Sequence, residues 1–237
     1  MSSLAVLLDL QNNDTSADQL RHRRATLPER QELADAERAI AALDQEMSGV
    51  AARRHELARD QKRLEDEISS LETRAAAEDR KLYSGTVTAV KELQALQEEI
   101  SSLQRRQSGL EDQVLELMEQ GDPLDVELEA FAARRRELDA RAADARQRLD
   151  AQLAAIDAEL EQLRAQRAPL ADAVAAPILA EYEQIRSRLG GVAAAKLEGG
   201  SCRGCHLHLS AVELDRIRKL PSDSLVHCEE CGRILVR

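Results

Sequence analysis

From Leu33 to Leu82, apolar or small residues recur at alternating spacings of three and four: Leu33, Ala36, Ile40, Leu43, Met47, Val50, Leu57, Leu64, Ile68, Leu71, Ala75 and Leu82. This is a heptad seam, the signature of a coiled-coil helix. Arg54, Gln61 and Glu78 interrupt it with long polar side chains of the kind that fix register at some cost in stability. Thr26 and Glu29 have capping-box spacing and Pro28 suits a first turn, so the helix is predicted over about 27–82. Upstream, Ser3 to Arg24 reads as a shorter helix. Its apolar pattern is interrupted by the polar run Asn12, Asn13, Asp14, Thr15 and Ser16.

A second seam follows the segment YSGTVT: Leu93, Leu96, Ile100, Leu103, Leu110, Val114, Leu117, Leu124, Leu128, Phe131 and Leu138. Gly85 supplies the backbone freedom for a reversal, so the seams become antiparallel arms with a turn near 83–88. A turn near Thr86 sets residue 33 opposite about residue 138. Gly121, Asp122 and Pro123 lie where the seam keeps its phase, which predicts a kink and no boundary. Past Leu138 the seam weakens to Ala142 and Ala145, then resumes at Leu149, Leu153, Ile156, Leu160 and Leu163 with a stutter. This stretch must pair with the N-terminal helix. Pro169 and Pro177 break or bend the chain before a last helix around 178–189. Gly190 and Gly191 close a hairpin domain over 1–190. A small domain, 191–237, follows with a glycine turn at Gly199 and Gly200 and a β-compatible run at 234–236.

Composition supports the helical reading. The chain has no Trp, one Phe and two Tyr, too little aromatic volume for an ordinary globular core. Its 32% charged residues sit among good helix formers. A net charge of −11 opposes generic polyanion binding. No apolar run spans a bilayer, so the expectation is a soluble, cytoplasmic protein without membrane contact or small-molecule substrate.

The sharpest chemical signal is Cys202-x-x-Cys205, a 22-residue spacer and Cys228-x-x-Cys231. Two tight turns, each aiming two thiolates at one cation, complete a tetrahedral site for one structural zinc with no open position. Gly204 and Gly232 fit such turns, and His206, His208 and His227 read as neighbours of the ligands. A redox dithiol would call for a surrounding βαβ pattern, which is absent.

Arg21, Arg23 and Arg24 form a basic run, and antiparallel register brings Arg146 and Arg148 toward it. Interleaved acids make a solvated helix face the plainer reading. With Arg203 and Arg233 of the small domain, these residues are the candidate contacts for a nucleic acid or a partner. The small domain is nearly balanced, with seven Lys or Arg against six Asp or Glu over 196–237. There is no phosphate loop, nucleophile elbow or His-Glu metalloprotease helix.

The segments LYSGTVTAVKELQALQEEI (82–100) and LEDQVLELME (110–119), with CRGC and the closing CEECGRILV (228–236), resemble bacterial coiled-coil proteins with a C-terminal C4-type zinc ribbon. Where relatives often carry Asn-Pro before Lys-Glu-Leu, this chain has Ala89 and Val90. The resemblance implies a mainly α fold: a long kinked antiparallel helical hairpin with a small β-type ribbon near its open end. It also implies an RNA-binding or partner-binding adaptor, in some bacteria linked to an alternative sigma factor and to flagellar or secretion systems.

The leading expectation is a non-catalytic adaptor binding a protein, with RNA or DNA as a further partner class. One alternative is a nucleic-acid-binding protein that uses the ribbon and the Arg21–Arg24 face. Another is a regulator that inserts its coiled-coil tip, with Glu78 and Asp79, into RNA polymerase.

Overall fold

The computed structural model describes residues 3–221 and 224–237. Residues 1 and 2 of the hairpin span and 222 and 223 of the ribbon span therefore lie outside the described residues. The elements in order are α1 (Ser3–Ala25), α2 (Pro28–Tyr83), α3 (Val90–Asp172), α4 (Ala176–Arg188), β1 (Ala194–Glu198), β2 (Ser201–Cys202), α5 (Ala211–Lys219) and β3 (Ile234–Val236). By contacts the chain forms two compact units, one of residues 32–144 and one of residues up to 31 with 145–237.

In the first unit, α2 and α3 pair as an antiparallel coiled-coil hairpin. Leu64 and Leu71 pack on Leu103 and Leu110, flanked by Ile68, Ala75, Val114 and Leu117, as the heptad pattern requires. Asp44 pairs with Arg135, Arg54 with Asp125, Glu67 with Arg106 and Arg74 with Glu99. Each step toward the turn on one helix is matched by a step back on the other. These pairs reflect about points between residues 86 and 90, close to the expected turn. The three polar seam residues are also accounted for: Gln61 donates to Glu65, Glu78 pairs with Lys81, and Arg54 reaches Asp125 at 2.8 Å. Arg54 faces Gly121, where a Cβ would make ordinary van der Waals contact with the guanidinium at 3.4 Å. The α3 helix runs unbroken through Gly121-Asp122-Pro123. Its end at Asp172 and the start of α4, with Pro177 in the first turn, match the expected break.

The expected capping box does not form. With α2 beginning at Pro28, the capping position falls on Leu27, which has no side-chain acceptor. Thr26 instead donates its hydroxyl to His22 O at 2.9 Å, closing the end of α1.

In the second unit, α1 lies antiparallel to the end of α3. Asn13 Nδ2 donates to Leu163 O at 3.1 Å, and Arg24 reaches Asp157. The sheet has strand order β2-β1-β3, with β1 antiparallel to β2 and parallel to β3. Side chains alternate across a strand, and this sheet uses both faces. Ala194, Ile234 and Val236 join Leu4, Leu7, Leu10, Val174, Tyr182 and Ile185 in one core. Ala195 and Leu235, on the other face, join Cys202, Leu209, Ile217, Val226 and Cys228 in a second. The α5 helix was not expected from the sequence. Its signals are Ser210, which accepts from Glu213 N at 3.2 Å, and the helical spacing of Leu214 and Ile217.

Candidate metal centre

The two Cys-x-x-Cys turns are built alike. Cys202 N donates to Leu207 O at 3.0 Å and His206 N to Cys202 O at 2.7 Å; Cys228 N donates to Arg233 O at 2.9 Å and Gly232 N to Cys228 O at 2.8 Å. Each turn thus folds its second cysteine back beside its first. All four Sγ atoms lie within 4.8 Å of one another, with Cys202–Cys231 at 3.9 Å and Cys205–Cys228 at 3.8 Å. A tetrahedral zinc with bonds of about 2.3 Å needs sulfur–sulfur separations of about 3.8 Å. The donor set therefore fits one structural Zn2+, and the ribbon is a four-cysteine zinc site.

The electrostatics point the same way. Burial pushes the thiols of Cys202 and Cys228 up, that of Cys228 to about 12. Burial also opposes ionisation of Cys231, but the N–H and guanidinium of Arg233, with the thiols of Cys228 and Cys205, outweigh it and hold that thiol at about 7. Four adjoining sulfurs cannot all ionise without a cation, so metal uptake releases protons and weakens on acidification.

The two glycines of the turns, Gly204 and Gly232, act differently, and only one of them supplies a left-handed backbone. Gly232 does so, with φ 72°, but its counterpart in the first turn is His206, with φ 62°. Gly204 is required for space: a Cβ there would meet Arg233 Cδ at 2.6 Å and Ala195 Cβ at 2.9 Å. Gly204→Ala is therefore expected to speed zinc loss to a chelator and to cost about 1–3 kcal/mol. His206→Gly relieves a left-handed residue and is expected to leave zinc retention intact or slightly improved. Chelator-exchange kinetics check both, and equal effects of the two substitutions would refute this division of roles.

His206, His208 and His227 lie outside the sulfur cluster. His208 Nδ1 sits 2.9 Å from Ser201 Oγ, and His227 Nε2 sits 2.9 Å from the Glu181 carboxylate.

The candidate arginines are occupied by the chain itself. Arg21 pairs with Asp18 at 2.7 Å, Arg23 donates to Gln152 at 3.2 Å and Arg24 grips Asp157 with two bonds. The α1 run thus faces residues 152–157, while Arg146 and Arg148 lie a turn or more away along α3 and have interactions of their own. Arg203 pairs with Glu198 at 2.9 Å, and Arg233 donates to Val192 O at 3.0 Å beside the zinc site.

The polar run of α1 hides a second constellation. Asp14 is buried and accepts two bonds from Arg167, at 2.7 and 3.2 Å, and one from Tyr182 Oη at 2.9 Å; Arg186 lies 3.6 Å away. Burial first, then the Asp14 carboxylate, pushes the Tyr182 phenol well above its ordinary range. Gln11 Oε1 accepts from Ala193 N and Ala194 N at 2.6 and 3.1 Å, and its Nε2 donates to Gly191 O. Gln11 thus satisfies backbone groups at the start of β1 as a neighbouring strand would.

Residues 10–190 match the family of the CT398-like coiled coil hairpin domain, and residues 201–235 match the C4-type zinc ribbon domain. An uncharacterized protein of Mycobacterium tuberculosis is 33% identical over 231 residues, covering 98% of this chain and 94% of the relative. A solved structure from Mycobacterium smegmatis aligns over 100% of both chains with a TM-score of 0.85 at 29% identity. CT398 from Chlamydia trachomatis, at 20% identity, shares the fold with a TM-score of 0.67 over 99% of this chain and 97% of its own. With a coiled-coil hairpin of the matching kind and four cysteines at zinc-binding separations, this chain belongs to the CT398-like coiled-coil hairpin family and carries a C4-type zinc ribbon.

Proposed function

We propose that the chain is a non-enzymatic adaptor whose physiological contact is a protein. The observation that carries this reading is the state of the arginines best suited to grip phosphate. Arg21, Arg24 and Arg203 are paired with carboxylates of the same chain, and Arg233 is spent on the ribbon. A nucleic acid would have to displace these acids within a field of net charge −11. The four-thiolate site supports the non-enzymatic part, because a closed coordination sphere offers no position for substrate or activated water.

The test is affinity purification of the full-length, zinc-loaded protein from its native cell with and without nuclease. Protein partners are expected to survive nuclease. A nuclease-sensitive partner set, with tight binding of a defined RNA at physiological salt that Arg23→Glu and Arg148→Glu abolish, would replace this reading with nucleic-acid recognition.

A further inference from the structure

The stretch 107–133 of α3 holds eight acidic side chains, from Glu111 to Glu129, and no Lys or Arg. Among the described residues only Asp125 of these is ion-paired, to Arg54 across the hairpin. The same stretch carries Leu115, Met118 and Val126 at 57%, 46% and 68% exposure. Residues three, four, seven or eight apart share a helix face, so these three with Asp122 form one stripe. It lies away from the seam of Leu110, Val114, Leu117, Gly121 and Leu124, which is buried or half-buried against α2. Single exposed apolar residues call for no explanation, but three large ones on one face of a helix already packed on its other side do.

We propose that this outer face of α3, between Glu111 and Glu129, docks a cationic amphipathic helix of a partner protein. The proposal rests on the adaptor reading and names the chemistry of its partner. Charge selects the occupant. A second copy of the same face would set acids against acids, and a phosphate backbone is repelled outright. A helix with apolar residues at three-and-four spacing, flanked by Lys and Arg, satisfies both the stripe and the carboxylates bordering it. The face extends about 27 Å, the length of five helical turns.

The probe is a fluorescent 18-residue Leu/Lys amphipathic peptide titrated onto the full-length, zinc-loaded protein. A peptide of the same composition, scrambled to remove the apolar face, is the comparison. The intact protein is expected to bind the amphipathic peptide at least tenfold more tightly than the scrambled one. Combined Leu115→Ser, Met118→Ser and Val126→Ser should remove that preference, whereas Tyr83→Ser with Val212→Ser should retain it. Because all five side chains are exposed, the melting temperature should remain unchanged and serves as the folding check. Equal binding of the two peptides, or full binding by the triple variant, overturns the proposal. If a nuclease-resistant partner is retained undiminished by the triple variant, the adaptor reading stands and this surface falls. If nuclease strips every partner, the adaptor reading falls and the surface with it.

Discussion

Replacing Cys228 by Ser should reduce bound zinc from one per chain to near zero and loosen the ribbon together with the helices packed on its sheet, while the hairpin of residues 32–144 stays folded. The reach of this effect follows from the two-faced sheet. Cys228 and Cys202 are buried with Leu209, Ile217 and Leu235 on one face. The strand that carries Leu235 also places Ile234 and Val236 against Leu7, Leu10 and Tyr182 on the other. Zinc binding in comparable small sites supplies about 10–16 kcal/mol of folding free energy, too much for these small clusters to replace. Elemental analysis gives the stoichiometry, and hydrogen exchange gives the extent. Protection should collapse over 193–237, fall in α1 and α4, and remain in residues 32–144. Retention of a full zinc equivalent, or equal loss of protection in 32–144, would contradict this account.

Asp14→Ala should destabilise the unit containing α1 by about 2–3 kcal/mol, the cost of taking a buried shared acceptor from a phenol and from charged donors that keep other partners. The carboxylate is 4% exposed and is the shared acceptor for Arg167 and Tyr182, with Arg186 beside it. Its loss leaves a phenol without an acceptor and takes one of two carboxylates from each of Arg167 and Arg186, which keep Glu183 and Asp18. Tyr182→Phe removes one hydrogen bond and leaves the ion pair, so its cost should be near 1 kcal/mol. Urea unfolding followed by hydrogen exchange in α1 separates the two. Similar costs for both variants would mean that the ion pair contributes nothing beyond the phenol. The pH behaviour has a definite sign. A phenol whose folded-state pKa is raised contributes stability that is complete below its unfolded value of about 10 and is lost as pH rises beyond it. Its contribution should be intact at neutral pH.

The helical hairpin and the zinc ligands were legible in the sequence because each rests on a local, repeating rule. Heptad spacing fixes which side of a helix is apolar, and two complementary seams joined at Gly85 leave antiparallel pairing as the economical solution. Cysteine pairs two residues apart specify a thiolate turn, and two such pairs specify a cation. What the sequence did not disclose depends on which distant groups meet. Asn13 and Asp14 look like weaknesses in a helix until Leu163, Arg167 and Tyr182 close around them, and Gln11 gains its role only beside the β1 backbone. Position 206 takes a backbone conformation usually left to glycine because a hydrogen bond back to Cys202 O requires it, whereas Gly204 is needed for the space beside Arg233. The arginines of α1 form a basic run along the chain, but Arg21 is neutralised by Asp18 of its own helix and Arg24 by Asp157 of another. Periodicity and ligand spacing are properties of neighbours in sequence and determined the elements and the metal site. Burial, ion pairing and the two-faced sheet are properties of neighbours in space, and only the tertiary structure decided them.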